Sequence, residues 1–218
     1  MSSGLDQARL AVLVHEVRSP VAALSAVAET MADLPADDSM RRELVRLALA
    51  ASLGIERIVM DLAVASVRLE PVDVEVLVRD AVASFSVRGH NVMLEGDAAR
   101  LLVDGDPVRL RQVLDNLIGN ALVHGSAGAP VVVRTSRSEE SATIAVSDTG
   151  PGIPQDERAR VFELGVRLDA EATGSGIGLT LSRAILDAHG GALEIESVPG
   201  EGSTFTIVLP VRAIQPAT

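Results

Sequence analysis

The chain has 218 residues, with 19 Lys+Arg against 30 Asp+Glu, a formal net charge of -11, three Phe and no Cys, Trp or Tyr. All 19 basic residues are Arg, which excludes chemistry that needs a lysine amine: a Walker A loop, a protein Ser/Thr/Tyr kinase with its strand-borne Lys, or a Schiff-base enzyme. The lack of cysteine excludes thiolate zinc sites and redox pairs, and the acidic balance argues against a nucleic-acid binder, whose affinity comes from cations on phosphates.

The 47% hydrophobic content is ample for a buried core, and with 1% aromatics that core must be Val, Leu, Ile and Ala. No uncharged apolar run approaches the roughly 20 residues of a membrane span, and the N-terminus lacks the pattern of a signal peptide. The expectation is a cytoplasmic chain.

Over residues 5–34 apolar side chains recur at Leu10, Leu13, Val17, Leu24, Val27, Met31 and Leu34, alternating three and four apart as at heptad a and d positions. This predicts a long helix with a bundle-forming seam. Residues 34–39 make a short turn, with Asp37, Asp38 or Ser39 available to cap the next helix. A second helical stretch over residues 40–69 places Leu44, Leu47, Ala51, Ile55, Ile58, Leu62 and Ala65 on one face. Two such helices, each about 45 Å long at 1.5 Å per residue, form an antiparallel hairpin. A lone hairpin leaves much apolar surface wet, so two chains are expected to pair as a four-helix bundle.

Glu70-Pro71 breaks the helical pattern and marks the expected boundary between domains at 1–69 and 70–218. Beyond it the patterns predict a helix over 73–85, strands over 91–94 and 100–103, and a helix over 106–124. Strands over 131–135 and 142–146 precede a glycine-rich region over 148–178. A helix to about Ala188 and strands over 192–197 and 203–209 complete the chain. Strands and helices mixed without regular alternation predict an α+β layer of helices on one sheet.

Four constellations carry chemistry. His15 lies on the outward side of the first helix, with Glu16 beside it and Ser19 one turn on. Pro20 removes a backbone hydrogen bond from the middle of that helix, a cost of about 3 kcal/mol that needs a reason. Asn116 and Asn120, at i and i+4, project from one face of the 106–124 helix. An amide oxygen is a suitable hard ligand for Mg²⁺, although alone such a pair is an ordinary set of solvated amides. Asp148-Thr-Gly-Pro-Gly-Ile-Pro154 reads as a glycine-proline turn after a strand, made more specific than most such turns by its order Asp-x-Gly-x-Gly at Asp148, Gly150 and Gly152. Gly174-Ser-Gly-Ile-Gly-Leu-Thr-Leu181 runs into a helix and offers backbone amides to a phosphate at its N-terminus. His189 reads as a structural residue at a helix end, His124 as packing, and His90 has no supporting neighbours.

His15-Glu-Val-Arg-Ser-Pro20 resembles the H-box of the sensor histidine kinases of two-component systems. The string Asp106-Pro-Val-Arg-Leu-Arg-Gln-Val-Leu-Asp-Asn-Leu-Ile-Gly-Asn-Ala121 resembles their N-box, Asp148 to Gly152 their G1 box, Arg160-Val-Phe-Glu163 their F-box and Gly174 to Gly178 their G2 box. The resemblance runs over nearly the whole chain, from about Leu5 to Leu209.

It implies a dimerisation and phosphotransfer hairpin followed by a two-layer α+β sandwich of the GHKL ATPase (Bergerat) type. His15 would be the phosphoacceptor, with Glu16 orienting the imidazole or taking its proton. Asp148 would accept from the adenine amino group, Phe162 would pack beneath an ATP lid over residues 163–173, and Arg167 would reach the triphosphate. Gly174, Ser175, Gly176, Ile177, Gly178 and Leu179 would hold phosphate.

The implied cofactors are ATP and Mg²⁺, with Asn120 as metal ligand and Asn116 beside it near the phosphates. The implied partners are a second copy of the chain and the receiver domain of a response regulator. Ser19 stands where the family usually has Thr for a regulator phosphatase, and Val123 stands where a phosphate-contacting Lys is common. Only 14 residues precede His15, so the expectation is a catalytic core or a kinase that takes its signal from a partner. The alternatives are a phosphotransfer scaffold or pseudokinase, or another ATPase of the same superfamily.

Overall fold

The computed structural model describes residues 21–22, 24, 26–27, 40, 43–48, 51–52, 54–55, 58, 67–96, 101–163, 166 and 177–212. The chain divides into two compact units, Met1–Leu62 and Ala63–Thr218. In the first unit the described residues are helical. Val27, Leu44 and Ala51 are buried, as the predicted seam requires, whereas Leu47, read on the same face, is 48% exposed.

The second unit begins with strand β1 (Glu70–Asp73), helix α1 (Val74–Val87), strand β2 (Val92–Glu95) and strand β3 (Leu102–Gly105). Helix α2 (Pro107–His124) and strands β4 (Val131–Arg137) and β5 (Ser141–Asp148) follow. A single 3-10 turn over Arg160–Phe162 precedes helix α3 (Gly178–Ala188) and strands β6 (Ala192–Val198) and β7 (Gly202–Pro210).

These elements match the predicted order with two differences. Glu70-Pro71 does more than end a helix: β1 pairs antiparallel with β3, Val72 opposite Val103. A proline is tolerated in so short an outer strand because it need not donate to a second neighbour. The described strands therefore make two sheets, the β1-β3 pair and a five-stranded sheet in the order β2-β4-β5-β7-β6, where one sheet was expected. In the larger sheet β2 runs parallel to β4 and the other neighbours are antiparallel.

Alternation along the strands sends one face inward. Val131 and Val133 of β4, Ala142, Ile144 and Val146 of β5, and Phe205, Ile207 and Leu209 of β7 are all buried. The helices answer with stripes at helical spacing: Val74, Val78, Ala81, Val82 and Phe85 on α1, and Leu110, Val113, Leu114, Leu117, Ile118 and Ala121 on α2. Removing a fully buried side chain such as Leu117 would cost about 2–5 kcal/mol. Helix α2 starts where it does because the Asp106 carboxylate accepts from the N–H groups of Val108 and Arg109, and because Pro107 suits the first helical position.

Candidate functional site

Helix α2 crosses the second unit with its apolar stripe in the core, which leaves Asn116 and Asn120 half-buried at its flank. Asn116 is fixed: its Nδ2 donates to Ser182 Oγ of α3 at 3.0 Å. Its Oδ1 lies against the first residue of α3, where a β-carbon on Gly178 would come within 2.1 Å of it. Any residue but glycine there would displace the amide. One turn on, Asn120 makes no side-chain hydrogen bond with a described residue, so its amide oxygen is available to a cation.

Helix α3 begins at Gly178 with no side chain capping it. Its first backbone N–H groups have no intrahelical acceptor, and this is the arrangement that favours an anion. Phe162 is anchored next to it: its ring meets Phe205 edge-on at 6.5 Å, the Arg183 guanidinium lies 5.6 Å from its centroid, and its carbonyl accepts from Thr180 Oγ1.

The turn after β5 closes the other end. Asp148 Oδ1 accepts from the N–H of Gly150 at 2.7 Å, and its Oδ2 accepts no hydrogen bond from a described residue. A β-carbon on Gly150 would fall 2.2 Å from the carbonyl oxygen of His124, the last residue of α2. Gly152 has φ +68 with the Val198 carbonyl in the place of a side chain. The spacing of these glycines thus follows from the packing of the turn between the end of α2 and the β6–β7 hairpin. Ser126 Oγ also donates to the Thr149 carbonyl.

The structure therefore brings together Asn116 and Gly178, with Ile177 and Leu179 flanking the latter, and packs Asp148 and Gly150 against the C-terminal end of α2 and Gly152 against the end of β6. His15, Glu16, Ser19, Arg167, Gly174, Ser175 and Gly176 lie outside the described residues. His124 and His90 are exposed, so His124 does not pack as expected, while His90 meets the Phe85 ring at 5.9 Å.

Sequence reasoning missed Ser182 and Ser197. Both are buried hydroxyls. Ser197 carried a usable signal: it occupies an inward position of a strand whose preceding inward residues are Leu193 and Ile195, and a hydroxyl in that register needs a partner.

Residues 105–213 match the family described as histidine kinase-, DNA gyrase B-, and HSP90-like ATPase. The chain belongs to that family. Within it the relatives are sensor kinases: the adaptive-response sensory kinase SasA of Synechococcus sp. (strain JA-3-3Ab) is 31% identical over 220 residues, covering 93% of this chain and 58% of that protein. The probable sensor histidine kinase TcrY of Mycobacterium tuberculosis is 32% identical over 216 residues, covering 93% of this chain and 45% of that protein.

Among solved structures, the mycobacterial sensor histidine kinase MprB superposes with a TM-score of 0.59 at 31% identity over 66% of this chain and 99% of that one. Full-length ShkA in complex with AMPPNP gives 0.67 at 28% identity over 96% of this chain and 47% of that one. The second unit is thus the GHKL-type α+β sandwich, and the relatives that the chain resembles are named as sensor histidine kinases. The chain spans about half the length of the curated relatives it matches, 58% and 45% for these two. No helix among the described residues is long and apolar enough to cross a membrane.

Proposed function

We propose that the chain is an ATP-dependent protein-histidine autokinase that phosphorylates His15 and passes the phosphoryl group to an aspartate of a response regulator. The observation that carries this reading is the seating of Asn116 against Gly178, beside an uncapped helix start and an unengaged Asn120.

These residues suit the triphosphate end of a nucleotide, with backbone amides of α3 facing phosphate and the Asn120 amide oxygen suited to Mg²⁺. A magnesium ion bound there would neutralise charge on the phosphates. Asp148, with Oδ1 held by Gly150 and Oδ2 open, would accept from the adenine amino group.

His15 receives the γ-phosphoryl group of the substrate ATP in line, a reaction that depends on positioning and electrostatics. Glu16 orients the imidazole or takes the proton from its other nitrogen, which raises nucleophilicity. Ser19, four residues after His15 in the sequence, would position water for dephosphorylating the regulator. The exposed Leu47, between the buried Leu44 and Ala51, suits a hairpin that pairs with a second copy. The ATP requirement assigns this catalytic unit to the cytoplasm.

The test is incubation with γ-labelled ATP and Mg²⁺. A label on the protein that is labile in acid, stable in base and lost in His15→Gln is expected. An acid-stable label, or one that survives the substitution, would overturn the reading.

A further inference from the structure

The loop over residues 150–153 must hold still if the carboxylate before it is to read a base. Its start is fixed locally by the Asp148–Gly150 bond. Its middle is held by backbone, as the Gly200 N–H donates to the Pro151 carbonyl at 2.7 Å. Its end is held by a side chain from another strand: the Ile153 N–H donates to Ser197 Oγ at 2.7 Å.

That hydroxyl is fully used. Ser197 Oγ donates to the Gly202 carbonyl at 2.9 Å and lies 2.9 Å from Ser203 Oγ. One hydroxyl supplies one proton and two lone pairs. With the proton on Gly202, Ser197 accepts from both Ile153 N–H and Ser203 O–H, and every site is satisfied. Gly202 in turn packs so closely that a β-carbon on it would lie 2.1 Å from the Asp148 carbonyl oxygen. Ser197, 5% exposed, therefore ties the far end of the loop to the same hairpin that braces Asp148. Among the described residues, the other side chains that meet the backbone of residues 150–153 are Asp148, whose Oδ1 accepts from the Gly150 N–H, and Arg158, whose Nε approaches the Ile153 carbonyl at a long 3.5 Å.

We propose that Ser197 is a positioning residue for nucleotide selection, setting the loop at residues 150–153 so that the Asp148 carboxylate meets the base. This rests on the reading of Asp148 as the adenine acceptor. Because the group that Ser197 places touches the base and not the reacting phosphorus, its loss should weaken ATP binding without slowing transfer once ATP is bound.

The test uses the full chain as wild type, Ser197→Ala, Thr204→Val and Asp148→Asn. Thr204→Val is the matched control, since it removes a hydroxyl that meets Ser147 Oγ at 2.9 Å on the outward face of β7, away from the loop. Ser197→Ala should raise the ATP concentration for half-maximal autophosphorylation about tenfold, equivalent to about 1.4 kcal/mol, with the saturating rate unchanged within twofold. Thr204→Val should change neither.

Equal ATP dependence in Ser197→Ala and wild type overturns the proposal, as does an equal loss in Thr204→Val or a fall in the saturating rate alone. Should Ser197→Ala not fold, amide hydrogen exchange in the wild type decides: a protected Ile153 N–H supports the tie, and exchange at the rate of an unstructured amide overturns it. A wild type that binds no ATP overturns both this proposal and the functional reading. Weakened binding in Asp148→Asn with none in Ser197→Ala overturns only the role of Ser197.

Discussion

The backbone N–H of Asp106 donates to Nε2 of His189 at 2.9 Å, joining residues 83 positions apart. A ring nitrogen that accepts carries no proton, so in the neutral ring the proton sits on Nδ1 and donates to the Ile185 carbonyl at 2.7 Å. The imidazole is buried at 5% exposure and links the C-terminal end of α3 to the cap of α2, the two helices that also meet at Asn116 and Ser182.

His189→Leu keeps most of the volume but strands the Asp106 N–H and the Ile185 carbonyl away from water. A loss of about 1–3 kcal/mol in unfolding free energy is expected, read from the urea midpoint. A leucine variant as stable as wild type would show that the imidazole contributes packing alone.

Asp106 gives the fold a pH dependence. Partial burial works to raise its pKa, but the backbone N–H groups of Arg109, Arg68 and Val108, with the Arg109 charge, outweigh this and hold the carboxyl below its usual range. A depressed native pKa contributes stability above the unfolded value, about 3.9, and that stability is lost as pH falls through the native value. Asp106→Asn, which still caps a helix, should be less stable than wild type by up to about 1 kcal/mol above pH 5. The two should converge near pH 2, as followed by urea unfolding across that range. A constant difference at all pH values would mean that the charge contributes nothing.

Gly178→Ala places a methyl group 2.1 Å from Asn116 Oδ1. Either Asn116 breaks its bond to Ser182 and turns, or the start of α3 shifts, and both disturb the proposed phosphate end of the site. Overpacking of this kind costs about 1–3 kcal/mol. Autophosphorylation should fall at least tenfold while circular dichroism retains the folded signal. Wild-type activity in this variant would show that the Asn116–Gly178 seating is dispensable.

Helix α2 was legible because its signals are local: a capping Asp106, Pro107 at the first position, and an apolar stripe of period 3.6. The inward alternation of β4, β5 and β7 was legible for the same reason. What escaped depends on partners remote in sequence. Glu70-Pro71 reads as a breaker until Leu102–Gly105 is available to pair with it. Ser182 and His189 reach partners 66 and 83 residues away, and nothing near them in the chain announces those bonds; the inward register of Ser197 announces the need for a partner but not that it lies 44 residues away. The glycines occupy a middle ground, since their spacing marked the turn but the atoms that exclude a side chain, the carbonyls of His124 and Val198, were invisible.

The absence of lysine leaves one feature of the site open to engineering. Val123 follows Asn120 by three residues and Asn116 by seven, so it stands on the same flank of α2, and it is 55% exposed. A lysine there would cost no core packing and would set an ammonium near the proposed triphosphate site. An exposed pair of this kind contributes about 0.2–1 kcal/mol, so Val123→Lys should tighten ATP binding by roughly 1.5- to 5-fold at low salt, with the gain shrinking at high ionic strength. With valine in place, we propose that Arg167 supplies the cationic contact, since its planar fork suits phosphate oxygens. Arg167→Ala should therefore weaken ATP binding about tenfold or more, and Val123→Lys should restore part of that loss in the double variant. Titration of the four proteins with ATP and Mg²⁺ decides the assignment: unchanged affinity in Arg167→Ala would mean that backbone amides and the metal hold the phosphates without a cationic side chain.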